Sequence, residues 1–370
     1  MENTDILSEI VSVSQRPGFG TSPEKRRAVS NMQSCRTIDR GGRIMYCPQC
    51  ATTSVLYNPC NQRGCPTCYQ KNQILWKLKL QRKILPVSHE HIIFSFPQAI
   101  TKLWLVNKEK IINALFKTVS GAIKELQEKT GLIYGCVLVF QSHGRGLCYK
   151  PHIHCLLSSG GISITGNVKW IAEGSVPFST LEDSVQEGIL YELRKSIPEL
   201  DTQIVVNEFK QNECKVYHAH HSGTGNNIVE YLSHSLAGVV IDMNQSFRIN
   251  EEKDLISFKE HHQGETIETT LSRPIFVERY LSHIPPSACV TIRYYGLYSN
   301  GYADELAEIK KNMKPVDPTD KLAIEIGDIC PICNSPLMVL QSFQTGHKGG
   351  ILVSMISRSP PAHGALLSKA

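Results

Sequence analysis

Alternate histidines carry the sharpest chemistry in this chain. Pro151-His152-Ile153-His154-Cys155-Leu156-Leu157 reads as a strand with two imidazoles two residues apart. On a strand, positions i and i+2 point to the same face about 7 Å apart, so both rings could converge on one cation while Ile153 turns into a core. Three residues compete for the place of a third ligand: Gln141, at the end of the preceding strand, His143, and His234. Gln141 is the first choice. His89-Glu90-His91 also precedes an apolar strand, but its central residue is charged where Ile153 is apolar, so His89 and His91 are taken as non-catalytic. Tyr231, in IVEYLSHS, sits on a helical pattern whose Val229 and Leu232 face a core. By pattern alone it is an amphipathic residue at a core edge, as Tyr191 is.

Six of the 13 cysteines fall between Cys35 and Cys68. Cys47-Pro-Gln-Cys50 and Cys65-Pro-Thr-Cys68 are two knuckles 14 residues apart. A two-residue gap lets each pair bite one ion from a tight turn, and four thiolates close a tetrahedral zinc shell. The expectation is one structural zinc on Cys47, Cys50, Cys65 and Cys68. Cys35 and Cys60 fit three readings equally: alternative ligands, half of a second site, or buried thiols. Cys330-Pro-Ile-Cys333 is a lone knuckle with no second CxxC after it, so no further site is expected there. The N-terminus MENTDILSEI has no basic region followed by an apolar run, and no apolar segment reaches about 18 residues. That points to a cytoplasmic chain with no membrane span, where clustered thiols serve metals before disulfides.

The net charge of +5 is concentrated. From Gly41 to His89 there are seven bases (Arg43, Arg63, Lys71, Lys77, Lys79, Arg82, Lys83) and no acid, while the rest of the chain has a slight acidic excess. A basic patch of this kind is a footprint for polyanions. Arg63, Lys71, Lys77, Lys79, Arg82 and Lys83 are the expected DNA contacts, five of them on the basic helix KNQILWKLKLQRKILP. Phosphate contacts there would position DNA rather than read it.

These residues need elements to hold them. The chain's 370 residues, 41% hydrophobic and 20% charged, are ample for a buried core and exclude a disordered or coiled-coil protein. Residues 1–30 read as a linker or disordered arm, 31–88 as a zinc-binding module ending in the basic helix, 89–300 as an α+β domain, and 301–370 as an irregular tail with a single CxxC. Within the α+β domain the pattern gives strands at IIFSFP, 134–140, 152–158 and 203–209, helices at 103–129, 181–197 and 226–238, then FRI, LISF and TIETTL, a helix FVERYLSHI and a last strand CVTIRYYG. The expected fold is an antiparallel sheet flanked by helices.

The ordered strings CRT, CPQC, YNPCNQRGCPTCYQ, LPVSHEHIIFSFP, PHIHCLLSSGG, IVEYLSHS and FVERYLSHIPPSACVTIRYYGLYSN resemble those of rolling-circle insertion-sequence transposases. These are two-histidine (HUH) endonucleases with an N-terminal zinc-binding domain. The resemblance covers about residues 30 to 300 and implies an HUH-type fold for the α+β domain and a nickase and strand transferase acting on single-stranded element ends. It implies Mg2+ or Mn2+ on His152 and His154, and attack by Tyr231 to give a 5′-phosphotyrosine and a free 3′-OH, with DNA as the partner in the nucleoid. Two departures stand out: Ser235 occupies the place of a second tyrosine found in many relatives, and Arg43 and Gly64 replace frequent histidines. Two rivals remain at this stage. One is a zinc-containing DNA-binding protein without catalysis, against which His152, His154 and Tyr231 all stand intact. The other is a hydrolase that activates water, which would want a carboxylate near the pair, and none lies between Gln141 and Ile171.

Overall fold

A computed structural model describes residues 3–20, 22–163, 165–171, 176, 178–199, 206–207, 214–218, 223–224, 228–229, 232–233, 240–241, 247–262, 265–313, 329–345 and 351–354. The chain opens with two helices, α1 (Asn3–Ser14) and α2 (Pro23–Gln33). Ile6, Ile10 and Val13 recur at helical spacing and are buried, and Ser22 caps α2 by accepting from the Lys25 amide, with Pro23 in its first turn. The expected linker is therefore folded. Its apolar stripe joins a core with the cysteine module, which overcomes the polar composition that suggested an arm.

The hairpin β1 (Gly42–Cys47) and β2 (Thr52–Tyr57) follows, then the basic helix α3 (Tyr69–Lys83). Next come β3 (Ser88–Ser95), α4 (Gln98–Val106), α5 (Lys108–Thr130), β4 (Leu132–His143), β5 (Tyr149–Ser163), β6 (Val168–Trp170), α6 (Phe178–Ser196), β7 (Lys215–His218) and β8 (Gly223–Thr224). The helix expected over 103–129 is in fact two, broken at Asn107, whose backbone leaves the helical region. Gly131 ends α5 in the left-handed conformation that glycine adopts without strain. Within the segment 203–209, expected as a strand, Val206 and Asn207 are helical. The chain then forms a three-stranded sheet of β9 (Phe247–Asn250), β10 (Leu255–His262) and β11 (Glu265–Ser272), the helix α7 (Arg273–His283), β12 (Ile292–Gly296) and α8 (Ala303–Lys311).

The central antiparallel sheet runs β12-β4-β5-β3-β7, with β6 beside β5 and β8 beside β3. Both faces are covered, so β4 and β5 are nearly continuously buried. On one face Phe94, Leu138, Phe140, Ile153 and Cys155 pack against the apolar stripes of α5 and α6, among them Leu115, Val119, Leu181 and Ile189. On the other, Val137, Val139 and Leu156 share a core with Leu80, Leu85, Leu297, Tyr298 and Leu306, and with Ile228, Val229 and Leu232. A third core joins α1, α2, α7 and the β9–β11 sheet to Cys35, Cys65, Cys68 and Tyr69.

The expected tail is also partly folded. β13 (Met338–Thr345) and β14 (Ile351–Ser354) extend the N-terminal hairpin into a four-stranded sheet ordered β14-β13-β1-β2. β13 pairs antiparallel with β1 from Gly42↔Phe343 to Tyr46↔Met338. The chain's last described strands thus fold back onto the first.

Candidate functional site

Strand register builds the histidine site. His152 lies directly opposite Gln141 on β4, and His154 opposite Val139, so all of these project from the face that also carries Val137 and Leu156. His154 Nε2 is 3.0 Å from His152 Nε2 and 2.8 Å from Gln141 Oε1. A cation with bonds of about 2.1 Å would hold neighbouring ligands of an octahedron about 3.0 Å apart. Both contacts around His154 Nε2 have the spacing of neighbouring ligands on one ion.

The surrounding groups fix which atoms face that point. His152 Nδ1 donates to the Lys150 carbonyl at 2.6 Å, leaving Nε2 with its lone pair. His154 Nδ1 is 2.9 Å from His91 Nε2, and when it donates to His91 its own Nε2 is likewise free to ligate. The Gln141 amide nitrogen donates to His143 Nε2 at 3.0 Å, which turns its oxygen toward His154. Burial pushes His152 down to about 4 and holds His154 and His143 well below the ordinary imidazole value, with neighbouring histidines adding to the effect on the latter two. Neutral imidazoles are the ligating form.

Sequence reasoning set aside His91, and the structure gives it a positioning contact. It is fully buried and its ring stacks on His154 with centroids 5.2 Å apart. The sequence pattern places it just before an apolar strand; the structure puts it inside β3, and only the β3–β5 register, with Ile93 opposite His154, shows what it touches. His89 lies outside the site, with Nδ1 donating to the Val87 carbonyl and Nε2 2.6 Å from the Tyr298 hydroxyl. His143 orients Gln141 with the nitrogen it would need as a ligand. The β4–β5 turn is held from outside: Glu260 accepts from the Gly146 amide, Arg279 donates to the Gly146 carbonyl at 2.7 Å, and His283 bonds both Ser142 and Leu147.

Tyr231 and His234 lie outside the described residues. Their neighbours Ile228, Val229, Leu232 and Ser233 are helical and buried, and the first three pack in the core that lies on the histidine face.

The cysteines correct the single-site expectation. Cys47 and Cys50 gather with Cys330 and Cys333, while Cys65 and Cys68 gather with Cys35 and Cys60, and within each group every sulfur lies within 4.8 Å of the others. Cys35 Sγ is 3.4 Å and Cys60 Sγ 3.8 Å from Cys68 Sγ, and Cys47 Sγ is 3.6 Å from Cys333 Sγ. Tetrahedral zinc with Zn–S bonds near 2.3 Å separates its sulfurs by about 3.8 Å. Two of the three readings of Cys35 and Cys60 thus give way to the second-site reading, and Cys330-Pro-Ile-Cys333 is half of a cluster rather than a lone knuckle. The reason is topological. The β1–β2 hairpin carries the first knuckle toward β13, and the second opens α3 beside the end of α2.

Thiol ionisation is uneven in both groups. Hydrogen bonds from Cys60 and Cys65 hold Cys68 far below the ordinary thiol range, while those from Cys60 and Cys68, then burial, push Cys65 up. Ser335 lowers Cys333 to about 6, and the bond to Cys333 pushes Cys50 up to about 12. Neighbouring thiolates repel, and a divalent cation is what lets all four ionise together.

The basic residues divide. Lys79 and Arg82 are exposed on α3. Arg63 instead donates to the Cys289 carbonyl, and the Lys83 ammonium sits 4.3 Å over the Tyr294 ring. Lys71 and Lys77 are half-buried. Among the described residues no helix is long and apolar enough to cross a membrane.

An antiparallel sheet bearing the HxH pair, together with two clusters of four thiols, is the make-up of an α+β domain joined to a zinc-binding module. Comparison with known families agrees: residues 10–96 match the family described as "Transposase zinc-binding domain" and residues 135–305 the one described as "Putative transposase". The two matches together span most of the chain and match it to insertion-sequence transposases with an N-terminal zinc-binding domain. It is 24% identical to "Putative transposase y4qJ" of Sinorhizobium fredii (strain NBRC 101917 / NGR234) over 82% of each chain. It is 22% identical to the "Transposase for insertion sequence element IS801" of Pseudomonas savastanoi pv. phaseolicola, over 80% of this chain and 76% of that one. No solved structure matches it.

Proposed function

We propose that this transposase nicks and rejoins single-stranded DNA at element ends through a 5′-phosphotyrosine on Tyr231. The observation that carries this reading is the gathering of His152 Nε2 and Gln141 Oε1 within 3.0 Å of His154 Nε2. A Mg2+ or Mn2+ ion bound there would polarise the scissile phosphate and offset charge developing on its oxygens. The protein's own part is to hold three ligands in register on two strands, keep both imidazoles neutral by burial, and orient the Gln141 amide through His143. Tyr231 would attack phosphorus, forming a Tyr–O–P bond as the bond to the 3′ oxygen breaks, and that oxygen leaves as a 3′-OH after taking up a proton. One phosphodiester replaces another, so rejoining needs no external energy source. With Ser235 in place of a second tyrosine, the cycle uses one nucleophile.

The cluster of Cys35, Cys60, Cys65 and Cys68 would bind the structural zinc of the N-terminal module, whose family match spans all four. Lys79 and Arg82 would grip phosphates, so affinity should fall steeply with salt, and removing either should lower the salt slope by about 1.

The test is incubation with labelled single-stranded DNA carrying an element end, in Mg2+ or Mn2+. The expected product is a covalent protein-DNA adduct that is absent in Tyr231→Phe. Nicking that persists in that variant without an adduct would overturn the tyrosine mechanism, and salt-sensitive binding with neither product would mark a non-catalytic DNA-binding protein.

A further inference from the structure

The cluster of Cys47, Cys50, Cys330 and Cys333 straddles the boundary of the zinc-binding match: the first two lie inside residues 10–96 and the last two far beyond them. We infer that these four thiolates bind a second structural zinc, distinct from the one on Cys35, Cys60, Cys65 and Cys68, and that this ion clasps the C-terminal strands onto the N-terminal hairpin.

Each half is a CxxC knuckle with a turn suited to wrapping an ion. The Cys50 amide points at Cys47 Sγ at 3.4 Å, and the Asn334 amide closes the second turn by donating to the Cys330 carbonyl at 2.9 Å. The knuckles are aligned to each other independently of any ion by Ser335 Oγ, which donates to Gln49 Oε1 at 2.9 Å, while Ile329 bridges to Pro336 across the base of the second. Among the described residues all four cysteines are free thiols. Loading the site needs only loss of the thiol protons and no oxidant.

The sheet that the site closes has little else to hold it. Val55, Tyr57, Val339 and Leu340 are exposed, and of its described apolar side chains outside the cysteines only Met45 and Phe343 are buried. Such a thin sheet lacks the core that would fix strand pairing by hydrophobic burial alone, which is the situation in which small modules rely on a metal. The bond joins residues 286 apart in sequence. The cost of closing so long a loop grows only logarithmically with length, and zinc affinity far exceeds it. Without the ion, β13 would lose the strongest tie that keeps it on β1.

The test counts metal and maps protection on the full-length protein, with no use of nicking activity. Native mass spectrometry and elemental analysis should find two zincs per chain, and the Cys330→Ser/Cys333→Ser variant should hold one. On the unmodified protein, Cys330 and Cys333 should resist alkylation while exposed Cys148 reacts, and become reactive once chelator removes one zinc, together with new protease cleavage between α8 and β13. The second arm does not depend on whether the variant folds. One zinc per chain with Cys330 and Cys333 alkylated as fast as Cys148 would overturn the inference. So would two zincs retained in the double variant, or a disulfide recovered from the cluster under non-reducing conditions.

Discussion

Gln141, His152 and His154 lie on one β-hairpin, the outermost of them 13 positions apart, whereas Cys47 meets Cys333 across 286. The hairpin's ligands are positioned by strand alternation and by the register of adjacent strands, both local properties. The thiol clusters depend on which distant elements pack together. A local site can be rebuilt whenever the sheet forms, and a clustered one exists only in the complete fold. Energy follows the same division. On the proposed reading the histidines would add function to a sheet already buried on both faces, while the metal-loaded thiols would supply stability that their surroundings lack.

The largest expected effect tests the dependence of fold on thiols. Cys65→Ser should remove the zinc of its cluster, and since such an ion contributes roughly 10 to 16 kcal/mol of apparent folding free energy, more than many domains possess in total, residues 10–96 should lose protection in hydrogen exchange. An unchanged exchange pattern with zinc absent would break the comparison. His154→Ala should do the reverse, leaving thermal stability within a few degrees but cutting adduct formation about a thousandfold or more, the effect of losing several kcal/mol of charge stabilisation. Unfolding of that variant would show the histidines to be structural.

Acid titration comes next, since it probes the central sheet without touching a ligand. Burial pushes His89 down to about 4, below an unfolded value near 6.5, so between those values the unfolded chain holds the extra proton. Stability is therefore full above about 6.5 and is lost as pH falls toward 4, by about 3 kcal/mol from this residue. Denaturant melts across that window should show the slope, and His89→Gln should reduce it by this residue's share, leaving that of the other buried histidines. The smallest effect concerns His91. His91→Phe keeps a ring against His154 but removes the acceptor, and should weaken Mn2+ binding about 10- to 100-fold by calorimetry while zinc content stays unchanged. Equal loss in both would erase the distinction between the two kinds of site.

Much of the histidine-bearing domain is legible in the sequence. His152, His154 and Gln141 could be read together because alternate residues share a face and Gln141 ends the neighbouring strand; the structure brings the three into one site. The folded N-terminal arm was also encoded, in Ile6, Ile10 and Val13, but the Pro, Gly and charged residues after them drew attention to composition instead. His91 was not legible, because its contact depends on register rather than on spacing. Nor was the partnership of the knuckles: CxxC spacing defines a bite, and any two bites are chemically equivalent partners.

What the sequence determined by itself is which side chains can ligate and how each local pair is shaped, since i, i+2 on a strand and CxxC in a turn are fixed by backbone geometry. What only the tertiary structure decided is which pairs share an ion. That choice was made when β13 added to β1 and α1, α2 and α7 closed around the turn before α3. Loop length opposes such closures only weakly, so sequence proximity is a poor guide, and the pairing of strands and packing of helices select among otherwise equal ligands.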